Sequence, residues 1–461
     1  MRWSDWLRPR SPRAGPRHRS HEHGKTARPG SSCRGRPDDG IARSPFDSMH
    51  RRAALAPRCG ADQMKLVSSP KTYMEDGQRT VDPRTTLKRI EPLCRTAGIT
   101  RVADITGLDR IGIPVFSSIR PSAESGAVSV YNGKGASIDQ AKASAIMEAL
   151  ERYSGEVRGD HLIRRGVEDM LSSGNALDPR ELLLPTRTMV HLMHQPIAWM
   201  EGWDLMEDEE MLVPASAVFH PYASRLDLPL FRTNTNGLAS GNTMEEAILH
   251  GLCEVMERDA WSVCEAKREI EADVEPPRGN RIIDDLLAKF SGQGVRLYLK
   301  DLTSDVGAPT FAAAADDERT KDPALLVLGM GTHLNPEIAL IRALTEAAQS
   351  RLTQIHGARE DTVKAEANRH LGYDRVKSMN RMWFSASEVT RGVEEYAGLD
   401  STDMLDDINL VIERLRVMGF RHAVAVDLTR KELDIPVVRV VVPGMEVFAV
   451  DEERRGSRLG G

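Results

Sequence analysis

Two stretches of this 461-residue chain place carboxylates at helical spacing. The first is NGLASGNTMEEAILHGLCEVMERDAW, from Asn236 to Trp261. A rotation of about 100° per residue puts Asn242, Glu246, His250, Glu254 and Glu257 within an arc of roughly 120°. Ile248, Leu252, Val255 and Met256 fall on the opposite side, so the expected helix has an acidic face and an apolar one. Glu254 and Glu257 are like charges at i, i+3, which weakens a helix unless a cation sits between them. Carboxylate oxygens are the preferred ligands of hard cations. One such helix alone reads equally as a solvated acidic face.

The second stretch, SIDQAKASAIMEALERYSG, repeats the design. Ser144, Glu148 and Glu151 share one stripe, with Ile146, Met147 and Leu150 turned away. Glu148-Ala-Leu-Glu151-Arg152 lies on Glu254-Val-Met-Glu257-Arg258, Ala141 on Ala247 and Gly135 on Gly241. Two acidic faces of one design look like two sides of a single metal site, a repetition that solvation does not require.

Each acidic helix needs an element that presents it. AVSVY leads through Asn132-Gly133-Lys134-Gly135 into the first, and Leu230 to Thr233 lead through Asn236-Gly237 and Gly241 into the second. A third copy runs from ALLVL through Gly329-Met330-Gly331 into IALIRALTEAAQSRL. There Ala339 and Glu346 take the places of Ala247 and Glu254, and Gln349 replaces the last acid. Strand, glycine-bearing loop and helix, three times over, predict an α/β (α+β) core of repeated units rather than a bundle.

The rest of the chain frames that core. Residues 1–63 are rich in Arg, Pro, Ser and Gly with a net charge of about +8, against about −14 for the remainder. They are expected to be a disordered basic leader ahead of a start at Met64. No aromatic interleaving marks them as a nucleic-acid arm. From 64 to 120 a small helical region is expected, entered at Asp82-Pro83. Residues 163–204 read as a connecting insertion, 355–407 as peripheral helices and loops, and 451–461 as a flexible tail after the buried-strand pattern Val437–Val442. No apolar run approaches the ~18 residues needed to span a bilayer. Five cysteines without CxxC spacing fit a reducing cytoplasm and argue against a zinc site.

Glycine-bearing loops that open helices offer backbone N–H groups to phosphate. Lys134 in such a loop could pair with phosphate oxygens, and Arg258 and Arg342 could hold others. GxxxxGK[ST] occurs nowhere, and neither does a kinase HRD or DFG set. With four convergent glutamates the pattern suggests Mg²⁺ carrying a nucleoside triphosphate at a non-Walker site.

The spacings Ser144-x3-Glu148-x2-Glu151-Arg152 and Asn242-x3-Glu246-x7-Glu254-x2-Glu257-Arg258, with GKG ahead of the first, resemble the paired ATP-binding signatures of the YcaO superfamily. The resemblance covers nearly everything from Arg79 to Glu446. It implies a YcaO-like fold in which Glu148, Glu151, Glu254 and Glu257 are Mg²⁺ ligands on ATP. Ser144, Asn242, Glu246 and Arg258 would contact the nucleotide, and Arg79 and Thr86 stand where the family has a Lys and a Ser. Members of the family activate a peptide-bond oxygen by phosphorylation.

LDRIGIPVFSSIRP, SVYNGKGAS and PVVRVVVPGMEV are similar to the methanogen-type group. That group forms a thioamide (thioglycine) in the methyl-coenzyme M reductase alpha subunit, often with a TfuA-like protein that delivers sulfide. No cysteine here is an evident sulfur carrier, in keeping with an external donor. Azoline-forming cyclodehydratases commonly end in PxPxP, whereas this sequence ends in EERRGSRLGG. A third possibility is a non-catalytic ATP-binding subunit of a protein methylthiolation system. Neither nucleic acid nor membrane is expected as a partner, and the oligomeric state is left open, a homodimer included.

Overall fold

Each of the three repeated units supplies an edge strand to a different sheet. A computed structural model of the chain describes residues 64–459, apart from 159, 186–187, 189–194, 223–226, 228 and 359–362; the expected leader, 1–63, lies outside the described residues. Strands β1 (Arg101–Asp104), β2 (Val115–Ile119) and β3 (Val130–Lys134) form an antiparallel sheet with β3 at its edge. A second sheet runs β4 (Ile163–Arg165), β5 (Ile197–Asp204), β13 (Val424–Asp427), β14 (Val437–Val441), β7 (Leu238–Ser240), with β6 (Glu209–Pro214) also on β5. The third runs β11 (Val327–Thr332), β10 (Thr310–Asp317), β9 (Val295–Asp301), β8 (Ala272–Glu275), β12 (Val389–Gly392), and only the β8–β12 pair is parallel.

Strands β3, β7 and β11 are thus edge strands, and each feeds the helix of its own repeat. Helix α1 (Pro83–Ile90) precedes the first unit; α2 (Ile138–Ser154), α3 (Met244–Lys267) and α4 (Pro336–His356) belong to the three units. Each unit helix is capped by a short polar side chain. Ser137 accepts from Gln140 N–H, Thr243 from Glu246 N–H, and Asn335 from the N–H groups of Glu337 and Ile338.

Glycines of the repeated units have a packing role. Gly133 lies inside β3, where a Cβ would fall on the backbone N of Ala145 and the carbonyl of Ala141. Gly331, inside β11, meets Ala343 and Ala339 in the same way. Across the ladder, Phe116 faces Gly133 and Phe311 faces Gly331, filling the space beside each Gly–Ala contact. These glycines let a helix backbone lie directly on its strand, and the matched alanines are the other half of that contact.

Four expectations are corrected. The second unit's strand is Leu238–Ser240, not Leu230–Thr233; Leu230 and Phe231 are buried in the core without joining a sheet. Residues 64–120 hold a single α-helix and two strands, because the extended Val115–Ile119 pairs with both neighbours. Residues 163–204 supply β4 and β5 to the largest sheet, so they are part of its layer rather than an insertion. Residues 451–459 are packed down: Arg454 is buried, and Arg458 pairs with Asp259 at 2.8 Å and Asp305 at 2.6 Å. Among the described residues no helix is long and apolar enough to cross a membrane.

Candidate active site

A cavity of about 510 Å³ lies where the three units meet. Every candidate residue lines it: Glu148, Glu151, Glu254 and Glu257; Ser144, Asn242, Glu246 and Arg258; and Arg79, Thr86, Lys134 and Arg342. The face that sequence periodicity leaves open to solvent is interior, with Glu151, Glu246 and Glu257 all buried.

The units close on each other in a ring. Glu151 of α2 accepts a hydrogen bond from Ser240 Oγ of β7 at 3.0 Å. Glu257, its counterpart on α3, accepts from the backbone N–H of Thr332 on β11 at 3.0 Å. Gln349, the counterpart on α4, donates to the backbone carbonyl of Asn132 on β3 at 2.6 Å. The same helical position of each unit therefore reaches the edge strand of the next. Lys134 adds an ion pair with Glu346 along the third of these joints.

Carboxylates crowd the centre. Burial pushes Glu151 up to about 8, with the charges of Glu254 and Glu148 adding to the effect and Arg152 opposing it. Glu257 is raised by burial and by Glu346. Burial acts on Glu346 too, but Lys134 holds its carboxyl below the usual range. Each acidic pair is turned toward its own arginine: Arg152 lies 3.5 Å from Glu148 and 3.7 Å from Glu151, and Arg258 lies 3.5 Å from Glu254 and 4.0 Å from Glu257. In this arrangement no three His, Cys, Asp or Glu groups among the described residues are gathered closely enough to hold a metal.

At the other end, Glu246 accepts from Arg79 at 3.2 Å, from Thr80 N–H at 3.0 Å and Oγ1 at 2.8 Å, and from Asn242 at 3.1 Å. Asn242 Oδ1 in turn accepts from Thr86 at 3.0 Å. The looser pair of candidates, Arg79 and Thr86, is therefore built into the same network as Asn242 and Glu246. Lys134, expected as a phosphate partner, forms an ion pair with Glu346.

Buried polar atoms on the lining without a hydrogen-bond partner include Arg152 Nη1, Arg342 Nε, His250 Nδ1, Asn132 Oδ1 and Gln354 Oε1. Burial drives His250 well below the usual histidine range, so its ring is neutral. Sequence reasoning passed over Arg152, although superposition on Arg258 points to it. It also passed over Ser240 and Gln354, which only the folded chain brings to the cavity, and Thr332, whose N–H holds Glu257.

The family described as YcaO cyclodehydratase, ATP- and Mg²⁺-binding, matches residues 132–446. The chain belongs to the YcaO family. It is 52% identical over 384 residues to a protein of Methanothermobacter thermautotrophicus, covering 83% of this chain and 98% of that one. It is 34% identical to a protein from the tfuA 3′ region of Rhizobium leguminosarum bv. trifolii, covering 80% of this chain and 89% of that one. Among solved structures it is similar to YcaO from Methanopyrus kandleri bound with AMPPCP and Mg²⁺. There the TM-score is 0.69 at 32% identity, covering 84% of this chain and 98% of that one. ATP and Mg²⁺ are thus the cofactors of the YcaO family, and its mixed α/β fold is the one found here.

Proposed function

We propose that this YcaO protein uses ATP and Mg²⁺ to replace a peptide-backbone amide oxygen by sulfur, forming thioglycine in the methyl-coenzyme M reductase alpha subunit. The observation that carries the ATP-dependent part is the meeting of Glu148, Glu151, Glu254 and Glu257 with Arg152, Arg258 and Arg342 around one cavity. The donor set is all oxygen, as a hard cation requires, and the raised carboxyls of Glu151 and Glu257 are groups that a cation would relieve. The four glutamates would hold Mg²⁺. Unpartnered Arg342 Nε, with Ser144, Asn242, Glu246, Arg258 and Lys134, would receive the nucleotide.

Bound Mg²⁺ supplies charge neutralisation for phosphoryl transfer. The reaction balances as peptide amide, hydrosulfide and ATP giving thioamide, ADP and phosphate. Sulfur bonds to the carbonyl carbon, and the displaced oxygen leaves on phosphate. With Mg²⁺ on their glutamates, Arg152 and Arg258 would be released from those partners to face anionic oxygens. Glu151, Glu246 and Glu257 are buried, where the effective dielectric is lower than in water and each of these interactions is stronger.

The thioamide and its substrate rest on resemblance to the methanogen-type group, supported by a 52%-identical relative from a methanogen. The relative from the tfuA region supports a TfuA-like sulfide donor. The family's description as cyclodehydratases favours azoline formation as the second reading. The test is incubation of purified protein with the reductase glycine peptide, Mg-ATP and sulfide. A mass gain matching sulfur for oxygen is expected. Loss of one water, dependent on a neighbouring Cys, Ser or Thr, would instead assign the azoline reaction. Nucleotide binding with no change in any peptide would assign an accessory role.

A further inference from the structure

We infer that the outer part of the cavity wall built by the third unit, from Gln349 to Gln354, is the recognition site for the backbone of the substrate peptide, an inference that rests on the peptide-modifying activity proposed above. Helix α4 keeps Glu346 where α2 and α3 have Glu148 and Glu254. At the positions of Glu151-Arg152 and Glu257-Arg258, however, it carries Gln349 and Ser350. One turn on, Thr353 and Gln354 line the same cavity. Beyond Arg342 and the Lys134–Glu346 ion pair, the outer part of this wall is amide and hydroxyl where the other two helices carry Glu–Arg pairs.

Hydrogen bonding within the wall decides which atoms remain for a ligand. Thr353 Oγ1 donates its single proton to the carbonyl of Gln349 at 2.8 Å, so it faces Asn132 as an acceptor. Asn132 must then present Nδ2 to Thr353, at 2.9 Å, leaving Oδ1 on the other side. That oxygen is buried with no partner on a residue only 1% exposed, and Gln354 Oε1 is buried and unpartnered as well. Each such acceptor is destabilising until a donor reaches it. A peptide backbone supplies N–H donors, whereas phosphate presents acceptor oxygens. The wall also leads outward: Gln349, Ser350, Thr353 and Gln354 are half-buried and Ile355 is exposed. A peptide lying along α4 has solvent at one end and the glutamates at the other.

Gln354→Ala and Ser350→Ala test this, because neither side chain holds another part of the wall. The full chain is titrated with a fluorescein-labelled peptide carrying the reductase glycine segment, and KM for that peptide is measured beside the thermal shift given by Mg-ATP. Loss of one to two amide hydrogen bonds predicts an increase of about ten-fold in both Kd and KM, with the Mg-ATP shift unchanged. A parent that thioamidates the peptide while both variants keep parental KM overturns the wall and leaves the proposed function standing. A parent that binds the peptide without adding sulfur overturns that function, and the variants' Kd then decides the wall. Variants that lose the Mg-ATP shift together with peptide binding, or a parent that binds no peptide, overturn it.

Discussion

Ser240 Oγ and Glu151 Oε2 lie 3.0 Å apart, joining the edge strand of the second repeat to the helix of the first. The serine is the neutral donor to a carboxylate that otherwise meets Arg152 at 3.7 Å. This bond favours the ionised form of Glu151, so its loss matters only where Glu151 is charged. Ser240→Ala should therefore cost about 1 kcal/mol or more at pH 9 and much less at pH 5. Denaturant titration at the two pH values would show it; an equal cost at both would mean the hydroxyl merely packs.

Metal-free stability should fall as pH rises. Folded Glu151 releases its proton near pH 8, against an ordinary value of 4.5 when unfolded, and Glu257 is raised in the same direction. The folded state thus holds protons that the unfolded chain has already lost. The stability this gives is complete below about pH 4.5 and lost as pH climbs through 8, a change on the order of a few kcal/mol. In EDTA, melting curves between pH 5 and 9 should slope downward. Glu151→Gln should flatten the slope, and Mg-ATP should raise the midpoint most at the alkaline end. A flat parental profile would mean that the carboxylates are not crowded.

Gly133→Ala and Gly331→Ala probe the contact that seats the helices. In each, the new methyl would meet helix backbone rather than a flexible side chain. Overpacking of this kind costs about 1–3 kcal/mol or more. Gly279, with nothing within 4 Å but φ at +86°, serves as a contrast in which only backbone conformation is strained. Rescue of Gly133→Ala cannot come from shortening Ala141 or Ala145, since the clash is with their N and C=O groups. Full stability and unaltered Mg-ATP binding in Gly133→Ala would show that the helix can lift away freely.

Much of the site was legible because helical periodicity depends only on local spacing. The stripes of Ser144, Glu148, Glu151 and of Asn242, Glu246, Glu254, Glu257 follow from rotation per residue, and all seven residues line the cavity. The repeat was legible for the same reason, and its matched Gly135 and Gly241 lie just past their strands, against the backbone of the matched Ala141 and Ala247. What local spacing cannot carry is which unit faces which. The joints Ser240–Glu151, Thr332–Glu257 and Gln349–Asn132 span 89, 75 and 217 residues. The ion pair between Lys134 and Glu346 was hidden for the same reason, since the two lie 212 residues apart. The 163–204 segment read as an insertion because β4 and β5 find their sheet through each other and through the distant β13.

Neutralising single glutamates on the two acidic helices separates fold from function. Glu148→Gln and Glu254→Gln each remove one charge from a crowded set, which in the absence of metal relieves repulsion. Both metal-free variants should melt at or slightly above the parental midpoint. Mg-ATP binds only the folded chain, so the parent gains stability by mass action, and a ligand at 100 times its Kd adds about 2.7 kcal/mol. The variants should lose most of that gain and most of their ATP turnover, because a neutral amide is a poor ligand for Mg²⁺ beside three carboxylates. Differential scanning calorimetry with and without Mg-ATP, together with phosphate release, measures both effects on the same samples. A variant that keeps the full shift and full turnover would mark its helix as a scaffold, leaving the cation to be held from the other side alone.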